Sequence, residues 1–390
     1  MKRTLMIATM AALASAGSTA CNMSPVDLKI GDILNDDPHW DPPKPDSNFV
    51  HVPVRVMTWN VYMGAELEPL LNASSEDEVP ALAADYWSSV QASDFRSRAE
   101  AIAMAVAAAD PDAIALQEVM LFRTQSPGDA TTDAPTAARD TALDFLAILG
   151  DALTSAGLDY RVAAESDNFD IEVPMAVDGG LNDLRITDRD VILARGDHEV
   201  IHTNSDRFSV NRTVQVGQAS FVLTRGWAYA DLILSRAGNT QEIVRFATTQ
   251  LESDAFPDVQ QAQADELLSR VWVYFFGGMF PTVVAGDLES PPDSANTTGL
   301  QALWDAGLRD AWTLGASEDP GFTCCHAPTL DGDAPLSRRV DYILAGFENM
   351  YGTPVPPTFN SVRIVGTDAA GHTAAGRWAS THAGLFASIW

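Results

Sequence analysis

Short apolar segments that adjoin a polar side chain recur along the chain from residue 51 onward. The segments 54–59, 113–116, 282–285, 340–344 and 385–389 are short and apolar, which predicts β-strands. The polar residues beside them are Asn60, Glu118, Asp287, Asp341 and His382. Because loops and strand ends at one edge of a sheet place such groups in a shared cleft, we expect the five side chains to lie together in the fold.

The other predicted elements mix strands with helices. Helices are predicted at 94–109, 140–156 and 259–275, the first with Asp94 as its N-cap. Further strands are predicted at 191–193, 221–224, 227–234 and 243–249, with 221–224 and 227–234 pairing around Arg225 and Gly226. Because the strands come in pairs rather than in strict alternation with helices, the order favours an α/β fold of packed sheets covered by helices over a doubly wound parallel sheet.

The amino terminus has the features of an export signal. Lys2 and Arg3 precede an apolar run at 5–16, and small residues at 18–20 precede Cys21. The apolar run is shorter than the ~20 residues that a membrane-spanning helix needs, so residues 1–20 are predicted to be a signal peptide.

Cys21 resembles the cysteine of a bacterial lipoprotein cleavage site, although Ser18 stands where leucine is usual. A lipid on Cys21 would place the protein at the outer membrane or the cell surface, and the alternative is a periplasmic or secreted protein. Residues 21–50 are rich in proline and aspartate and are predicted to form an extended tether. Residues 51–390 are predicted to form one domain.

The charge balance argues against one class of partner. The 53 acidic residues outnumber the 24 lysines and arginines, so the formal net charge is -29. This charge disfavours nucleic acid, whose phosphate backbone it repels at long range. Every lysine precedes residue 50, which leaves arginine to grip an anion in the predicted domain. The candidates are Arg189, Arg195 and Arg225, and a surface ion pair is the alternative for each.

The remaining cysteines, Cys324 and Cys325, are adjacent, and this spacing does not match a zinc site. Two alternatives stay open for them, a disulfide between neighbouring residues or two free thiols in a turn. His198, His202 and His326 also lack metal-ligand spacing. Trp227, Trp304 and Trp312 are predicted to pack in the core.

The five polar residues together favour phosphate chemistry at a cation. Several carboxylates in one cleft repel each other unless a cation compensates, and oxygen ligands suit Mg²⁺ or Mn²⁺. A histidine beside a carboxylate can act as a general acid or base.

The segments that contain these residues occur in a characteristic order. They are MTWNV at 57–61, DAIALQEV at 112–119, TQLES at 249–253, VAGDLES at 284–290, RVDYI at 339–343 and STHA at 380–383. Their order resembles the endonuclease/exonuclease/phosphatase superfamily. The resemblance implies a four-layer α/β sandwich with two mostly antiparallel β-sheets inside and helices outside. It also implies in-line hydrolysis of a phosphoester by an activated water, with a divalent cation neutralising the developing charge.

The resemblance implies a role for each of the five residues. Glu118 would bind the metal, and Asn60 would help to hold it. Asp287 would orient or deprotonate the attacking water. His382 would contact the scissile phosphate, and Asp341 would orient its imidazole.

Three positions depart from the family pattern. Gln250 stands where many members have histidine, and its amide can donate a hydrogen bond but cannot transfer a proton. Glu289 stands where the family has asparagine, and Thr381 stands where it has aspartate. Because one carboxylate is lost at 381 and one is gained at 289, we hypothesise that Glu289 supplies the missing charge of the cation site.

These observations predict an exported metal-dependent phosphodiesterase or phosphatase. Its substrate would be a phospholipid headgroup, a nucleotide or a sugar phosphate, selected by loops such as 122–140, 165–190 and 315–338. The first alternative is a lipoprotein of the same fold that has lost catalysis and binds a ligand. The second is a structural envelope protein, for which no cation dependence is expected. The sequence carries no signature of the oligomeric state.

Overall fold

The computed structural model describes residues 53–132, 134–216, 219–235, 241–271, 281–315, 319–332, 334–348, 354–368 and 371–389. The predicted signal peptide 1–20, Cys21 and the tether 21–50 lie outside these residues and stay predictions. None of the helices in the described ranges combines the length and the apolar character that crossing a bilayer requires.

Strands dominate the described chain. In chain order they are β1 (Val54–Asn60), β2 (Ala113–Gln117), β3 (Leu121–Gln125), β4 (Asp140–Asp144), β5 (Tyr160–Val177), β6 (Gly180–Arg195), β7 (Glu199–Arg207), β8 (Arg212–Val216), β9 (Ala219–Leu223), β10 (Gly226–Ser235), β11 (Gln241–Gln250), β12 (Thr282–Asp287), β13 (Arg309–Asp310), β14 (Asp341–Glu348), β15 (Pro354–Val355), β16 (Phe359–Val365) and β17 (Gly384–Ile389). The helices are α1 (Glu68–Leu71), α2 (Val79–Ala92), α3 (Phe95–Ala109), α4 (Phe145–Ser155), α5 (Pro257–Val271), α6 (Thr298–Asp305) and α7 (Ala311–Gly315), with one 3₁₀ turn at Glu76–Glu78.

Two large sheets organise the described residues. The first has the strand order β16-β17-β1-β2-β6-β3-β4, with β5 paired to β6, and the second has the order β13-β14-β12-β11-β10-β7, with β15 paired to β14. Neighbouring strands are antiparallel except for β1 with β2 and β11 with β12. Strands β8 and β9 form a separate ribbon.

The two sheets pack face to face. A buried apolar cluster joins Val56 and Ile192 of the first sheet to Phe246 and Ile343 of the second. The outer face of the first sheet packs on α2, α3 and α4, and the outer face of the second packs on α5 and α6. The order of layers is therefore helix, sheet, sheet, helix, and the predicted four-layer α/β sandwich with two mostly antiparallel sheets is confirmed.

Three predicted elements differ from the structure. The helix predicted at 140–156 begins only at Phe145, because residues 140–144 pair with β3 as strand β4 and Asp144 caps the helix by accepting from the Leu146 amide at 3.0 Å. The segments 221–224 and 227–234 do not pair with each other, since β9 pairs with β8 while β10 lies between β7 and β11. The strand predicted at 191–193 is the end of β6, a strand of 16 residues that forms a long hairpin with β5. Residues 165–190 are thus mostly strand rather than loop.

Candidate active site

Strand alternation brings the predicted polar residues to one end of the sandwich. Along β1 the side chains of Val54 and Val56 lie between the sheets, so Asn60, an even number of residues further on, faces the same way. Asp287 at the end of β12 and Asp341 at the start of β14 follow the same alternation and are paired across the ladder. The inner faces of both sheets therefore end in one polar cluster.

Asn60 connects two of the acidic side chains. Its amide nitrogen donates to Glu118 Oε1 at 2.9 Å and to Asp287 Oδ2 at 3.0 Å. The backbone amide of Tyr62 donates to Asn60 Oδ1 at 2.9 Å, which fixes the orientation of the side-chain amide. Glu118 has a φ of 58° and accepts from the Met63 amide at 2.7 Å through its other oxygen. The chain turns sharply after β2 and points this carboxylate back toward β1.

His382 and Asp341 form a buried pair. Nδ1 of His382 lies 2.9 Å from Asp341 Oδ2 and 4.0 Å from Asp287 Oδ2. Burial alone lowers the pKa of His382, but Asp341, Asp287 and the more distant Glu118 outweigh it and raise the pKa to about 10. The imidazole is therefore protonated at neutral pH, with Nδ1–H donating to Asp341.

The surroundings of Asp287 disfavour the charged form of its carboxyl group. Burial, Glu289 and Asp341 raise its pKa well above the ordinary value, although His382 and the Asn60 hydrogen bond oppose them. The Glu289 amide donates to Asp287 Oδ1 at 3.1 Å. Glu289 is half-buried with a φ of 47°, and burial also raises the pKa of its carboxyl, against His382 and Arg338. The carboxyl groups of Asp287, Glu289 and Asp341 thus repel one another, and little positive charge nearby offsets this repulsion.

Gln250 is oriented by an arginine. Its amide nitrogen lies 3.1 Å from Glu118 Oε1 and 3.4 Å from Asp287 Oδ2, and its amide oxygen accepts from Arg225 Nη1 at 2.6 Å. The donor end of Gln250 consequently faces the acidic cluster. Of the candidate arginines Arg189, Arg195 and Arg225, only Arg225 contacts a residue of this cluster among the described residues.

Two further acidic residues, Asp188 and Asp190, contact Arg225 and the Gln250 backbone. The sequence alone does not identify them as site residues. Both are fully buried; Asp188 Oδ2 is 3.5 Å from Arg225 Nη1, and Asp190 Oδ2 accepts from the Gln250 backbone amide at 3.0 Å. Burial is the main cause that raises the pKa of Asp188 to about 6, and burial with the charge of Asp188 raises that of Asp190. The signal was the alternation in TDRDVILAR, where Asp188 and Asp190 share a face with Ile192 and Ala194 of the core.

The other candidates have structural contacts. Arg189 donates to the carbonyl of Val119 at 2.8 Å and so supports the turn that carries Glu118. Arg195 pairs with Asp110, Asp112 and Asp197. Thr381 is buried, and its carbonyl accepts from the His326 amide at 2.8 Å. Trp227 and Trp312 are buried and Trp304 is half-buried. His198 bonds Asp112, whereas the ring of His202 is exposed.

A cavity of about 380 Å³ opens beside the cluster. Glu289 and Arg225 line it on the cluster side. Arg338 and Arg212 add positive charge, and Glu68 and Glu252 add negative charge. Arg212 stacks over Phe256, which gives the cavity an apolar wall. The arginines and the apolar wall can together contact an anionic group joined to a small organic moiety.

The donor atoms fit a hard divalent cation. Asp287, Asp341 and His382 each bring one donor atom within 4.8 Å of the other two. Because His382 Nδ1 and Asp341 Oδ2 already bond each other, this trio suits proton transfer, and Glu118 is the carboxylate left to hold a cation. Glu118 offers carboxylate oxygen, the ligand that Mg²⁺ and Mn²⁺ prefer, whereas Asn60 turns its amide nitrogen toward Glu118 and therefore holds that carboxylate in place. The crowded carboxylates would gain from the charge of a cation.

Comparisons with known proteins agree with this fold. A family model described as the Endonuclease/Exonuclease/phosphatase family matches residues 57–351. Among solved structures, a protein of that description from Bacteroides thetaiotaomicron is 14% identical, with a TM-score of 0.51 over 87% of this chain and 95% of the other. A mannosyl-6-phosphatase from Bacteroides thetaiotaomicron is also 14% identical, with a TM-score of 0.50 over 86% and 99% of the two chains. These identities support likeness of fold alone. No curated protein matches the sequence significantly.

Proposed function

The chain belongs to the endonuclease/exonuclease/phosphatase family, and within that family we propose that it hydrolyses a small phosphoester with the help of Mg²⁺ or Mn²⁺. The observation that carries this proposal is the joining of Asn60, Glu118 and Asp287 to the His382–Asp341 pair at one end of both sheets. A buried imidazolium, a basic carboxyl and an oxygen-rich cation site are the groups that in-line phosphoester hydrolysis needs.

Each side chain has a defined part in the proposed reaction. Asp287 accepts a proton from the attacking water, and its raised pKa makes it a stronger base than a free carboxylate. His382, held through Nδ1 by Asp341, offers its Nε2–H to a phosphate oxygen. Gln250 donates from its fixed amide nitrogen. A cation held by Glu118, whose carboxylate Asn60 keeps in place, would neutralise the charge that develops on the phosphate.

The cleft favours a small substrate over a polymer. Its volume of about 380 Å³ suits a phosphate with a sugar, nucleoside or headgroup attached, and Arg225 and Arg338 can contact the phosphate. The net charge of -29 opposes the approach of a long polyanion. A nucleotide, a sugar phosphate and a phospholipid headgroup are therefore the substrate classes to compare.

Export and lipid attachment are part of the same proposal. Residues 1–20 direct secretion, and Cys21 carries the lipid that holds the domain at the outer membrane or cell surface. Mass spectrometry of the mature protein from a bacterial host checks this, because a diacylated amino terminus at Cys21 should be absent in Cys21→Ser. An unmodified residue 21 in the wild-type protein would instead indicate a periplasmic or secreted enzyme.

The proposed hydrolase activity is tested by measuring hydrolysis of a panel of substrates in the presence of different cations. The panel holds a diester dye, a monoester dye, a mononucleotide, a sugar phosphate, sphingomyelin and plasmid DNA, each with Mg²⁺, Mn²⁺, Ca²⁺ or EDTA. We expect cation-dependent turnover that falls by roughly 10² or more in Asp287→Asn and His382→Gln. The exposed His202→Gln and Asp258→Asn are the matched controls and should keep wild-type activity. Turnover no higher than in the two site variants, in protein with native circular dichroism, would contradict catalysis and favour the ligand-binding alternative.

A further inference from the structure

The two adjacent cysteines lie against the candidate active site. Cys324 and Cys325 are joined by a disulfide, so the structure adopts the first of the two alternatives that the sequence left open. Cys324 is buried and its Sγ lies 3.6 Å from Nε2 of His382, while Cys325 is exposed. The disulfide thus joins a buried sulfur against the imidazole to a residue that solvent can reach.

The backbone around the disulfide is fixed on both sides. The Cys324 amide donates to the Arg338 carbonyl at 2.9 Å. The neighbouring Thr323 carbonyl accepts from the Ala383 amide, and the His326 amide donates to the Thr381 carbonyl, both at 2.8 Å. Thr323 Oγ1 also accepts from the Asp341 amide at 3.2 Å. The segment 323–326 therefore holds Cys324 in register with both members of the His382–Asp341 pair.

The sulfur of Cys324 and the carboxylate of Asp341 contact the two different nitrogens of the His382 ring. Cys324 Sγ contacts Nε2 of His382, and Nδ1 of the same ring bonds Asp341 Oδ2 at 2.9 Å. This is the relative arrangement of nucleophile, base and orienting acid in hydrolytic triads. Because the imidazole lies close to two carboxylates and carries a proton, it can stabilise negative charge on Cys324 Sγ.

We propose that the Cys324–Cys325 disulfide is a redox-active site that reacts with small thiols, and that His382 assists by stabilising the departing Cys324 thiolate. A thiolate attacks Sγ of the exposed residue Cys325, a new sulfur–sulfur bond forms there, and the electron pair of the broken bond leaves on Cys324 Sγ beside the imidazolium. A second thiol displaces Cys325 from the mixed disulfide. The balance is one protein disulfide and two thiols giving two cysteine thiols and one small-molecule disulfide.

Reduction should also affect the proposed hydrolase. A Cys324 thiolate would bond the same Nε2–H that His382 is proposed to offer to the phosphate. The reduced protein should therefore hydrolyse phosphoesters more slowly than the oxidised protein. This second consequence rests on the proposed function, whereas the thiol chemistry does not.

The first experiment measures the thiol chemistry alone. The full-length protein, oxidised with glutathione disulfide, is incubated with dithiothreitol at pH 7, samples are quenched with iodoacetamide, and the alkylated fraction is followed by mass spectrometry. We expect reduction on the order of tenfold slower in His382→Gln than in wild type, because the leaving thiolate loses its cation. His326→Gln is the matched control: this buried histidine follows Cys325 but bonds the Ala334 carbonyl, and its rate should equal that of wild type.

Asp341→Asn keeps the ring of His382 and removes one carboxylate that favours its charge, so it should show an intermediate rate. In Cys324→Ser, glutathione disulfide should modify Cys325, whereas Cys325→Ser should leave the buried Cys324 largely unmodified. Equal reduction rates in wild type, His382→Gln and Asp341→Asn would overturn the proposal. The proposal would also be overturned if Cys324 and Cys325 remained free thiols after treatment with glutathione disulfide.

The second experiment measures hydrolysis of the best panel substrate by oxidised and reduced protein. We expect several-fold lower turnover after reduction and no redox dependence in the double variant Cys324→Ser/Cys325→Ser. If the protein hydrolyses nothing but its reduction is slowed in His382→Gln, the proposed function fails while the thiol site stands. Full hydrolysis by the reduced wild-type protein would contradict the coupling between the two.

Discussion

At the scale of single residues, the charge on His382 links the site to the stability of the protein. An ordinary histidine loses its proton near pH 6.5, whereas Asp341 and Asp287 raise the pKa of buried His382 to about 10. Between these values the folded chain holds a proton that the unfolded chain has released. The stability that the charge on His382 contributes is therefore fully present below pH 6.5 and is lost as the pH rises toward 10.

We predict that the free energy of unfolding decreases from pH 7 to pH 9.5, with a slope of up to about 1.4 kcal/mol per pH unit from this group. Urea denaturation in EDTA at several pH values measures the slope without a cation. His382→Gln should flatten the profile, and the exposed His202→Gln should leave it unchanged. Stability that rises with pH in this window in the wild-type protein would contradict the protonated state of His382.

Glu289 is the residue at which the compensation hypothesis can be tested cleanly. Its φ of 47° lies in the left-handed region, which asparagine adopts more readily than glutamate, so Glu289→Asn should fold at least as well as wild type. Its backbone amide still donates to Asp287 Oδ1 in either case.

If Glu289 supplies the charge that Thr381 lacks, Glu289→Asn should weaken Mg²⁺ binding by roughly tenfold, since one nearby carboxylate is worth about 1.4 kcal/mol or more in a buried site. Calorimetry on the folded variant measures this affinity. Glu289→Gln, which keeps the side-chain length, is the second variant and should weaken binding similarly. An unchanged Mg²⁺ affinity in both variants would refute the compensation.

Gln250 illustrates what a motif alone does not reveal. The sequence identifies it as a departure from histidine, and it does not indicate which end of the amide faces the site. Arg225 determines this by binding the amide oxygen, and Asp188 and Asp190 lie beside Arg225 and the Gln250 backbone. These contacts join β6 and β11 to Arg225, which directly precedes β10. The three segments are far apart in sequence, so sequence position gives little indication of the contacts.

At the scale of elements, the predictable part of the fold is the part with strong local periodicity. Strands β1, β2, β12 and β17 are short apolar runs, and helix α3 begins at its predicted cap, where Asp94 accepts from the Ser97 amide. The hairpin of β5 and β6 escaped prediction because its inward positions carry Asp188 and Asp190 instead of apolar side chains. The sequence predicts a helix where strand β4 lies, because the pairing of this strand with β3 depends on contacts that no local pattern shows.

Helix α3 contributes to the site through Arg98. This buried arginine donates to the carbonyls of Val61 at 2.7 Å, Tyr62 at 3.2 Å and Ala379 at 3.1 Å. The first two follow Asn60, and the third lies three residues before His382. One helix thus connects the segments that carry two of the site residues.

We predict that Arg98→Met lowers the free energy of unfolding by about 3 kcal/mol, because three buried carbonyls lose their donor. It should also reduce turnover at temperatures where the variant is folded, since both segments lose a common support. Thermal unfolding and the hydrolysis assay measure the two effects. The exposed Arg96→Met on the same helix is the matched control, and an equal loss of stability there would show that Arg98 has no special role.

At the scale of the whole molecule, the acidic surface and the arginines of the cleft act on an anionic substrate in opposite directions. The net charge of -29 repels it over long distances, while Arg212, Arg225 and Arg338 attract it at close range. The range of each effect depends on salt, because the screening length shortens from about 30 Å at 10 mM to about 8 Å at 150 mM. Salt therefore weakens the distant repulsion more than the contacts inside the cleft.

It follows that kcat/KM for an anionic substrate should rise when NaCl is increased from 10 to 150 mM at fixed Mg²⁺, with little change in kcat. The rise should be several-fold for a doubly charged monoester, smaller for a singly charged diester dye and largest for plasmid DNA, because the repulsion scales with substrate charge. Initial rates across the salt series test this order. A kcat/KM that falls with salt for all three substrates would mean that the cleft arginines govern the encounter, and the argument from net charge against nucleic acid would then fail.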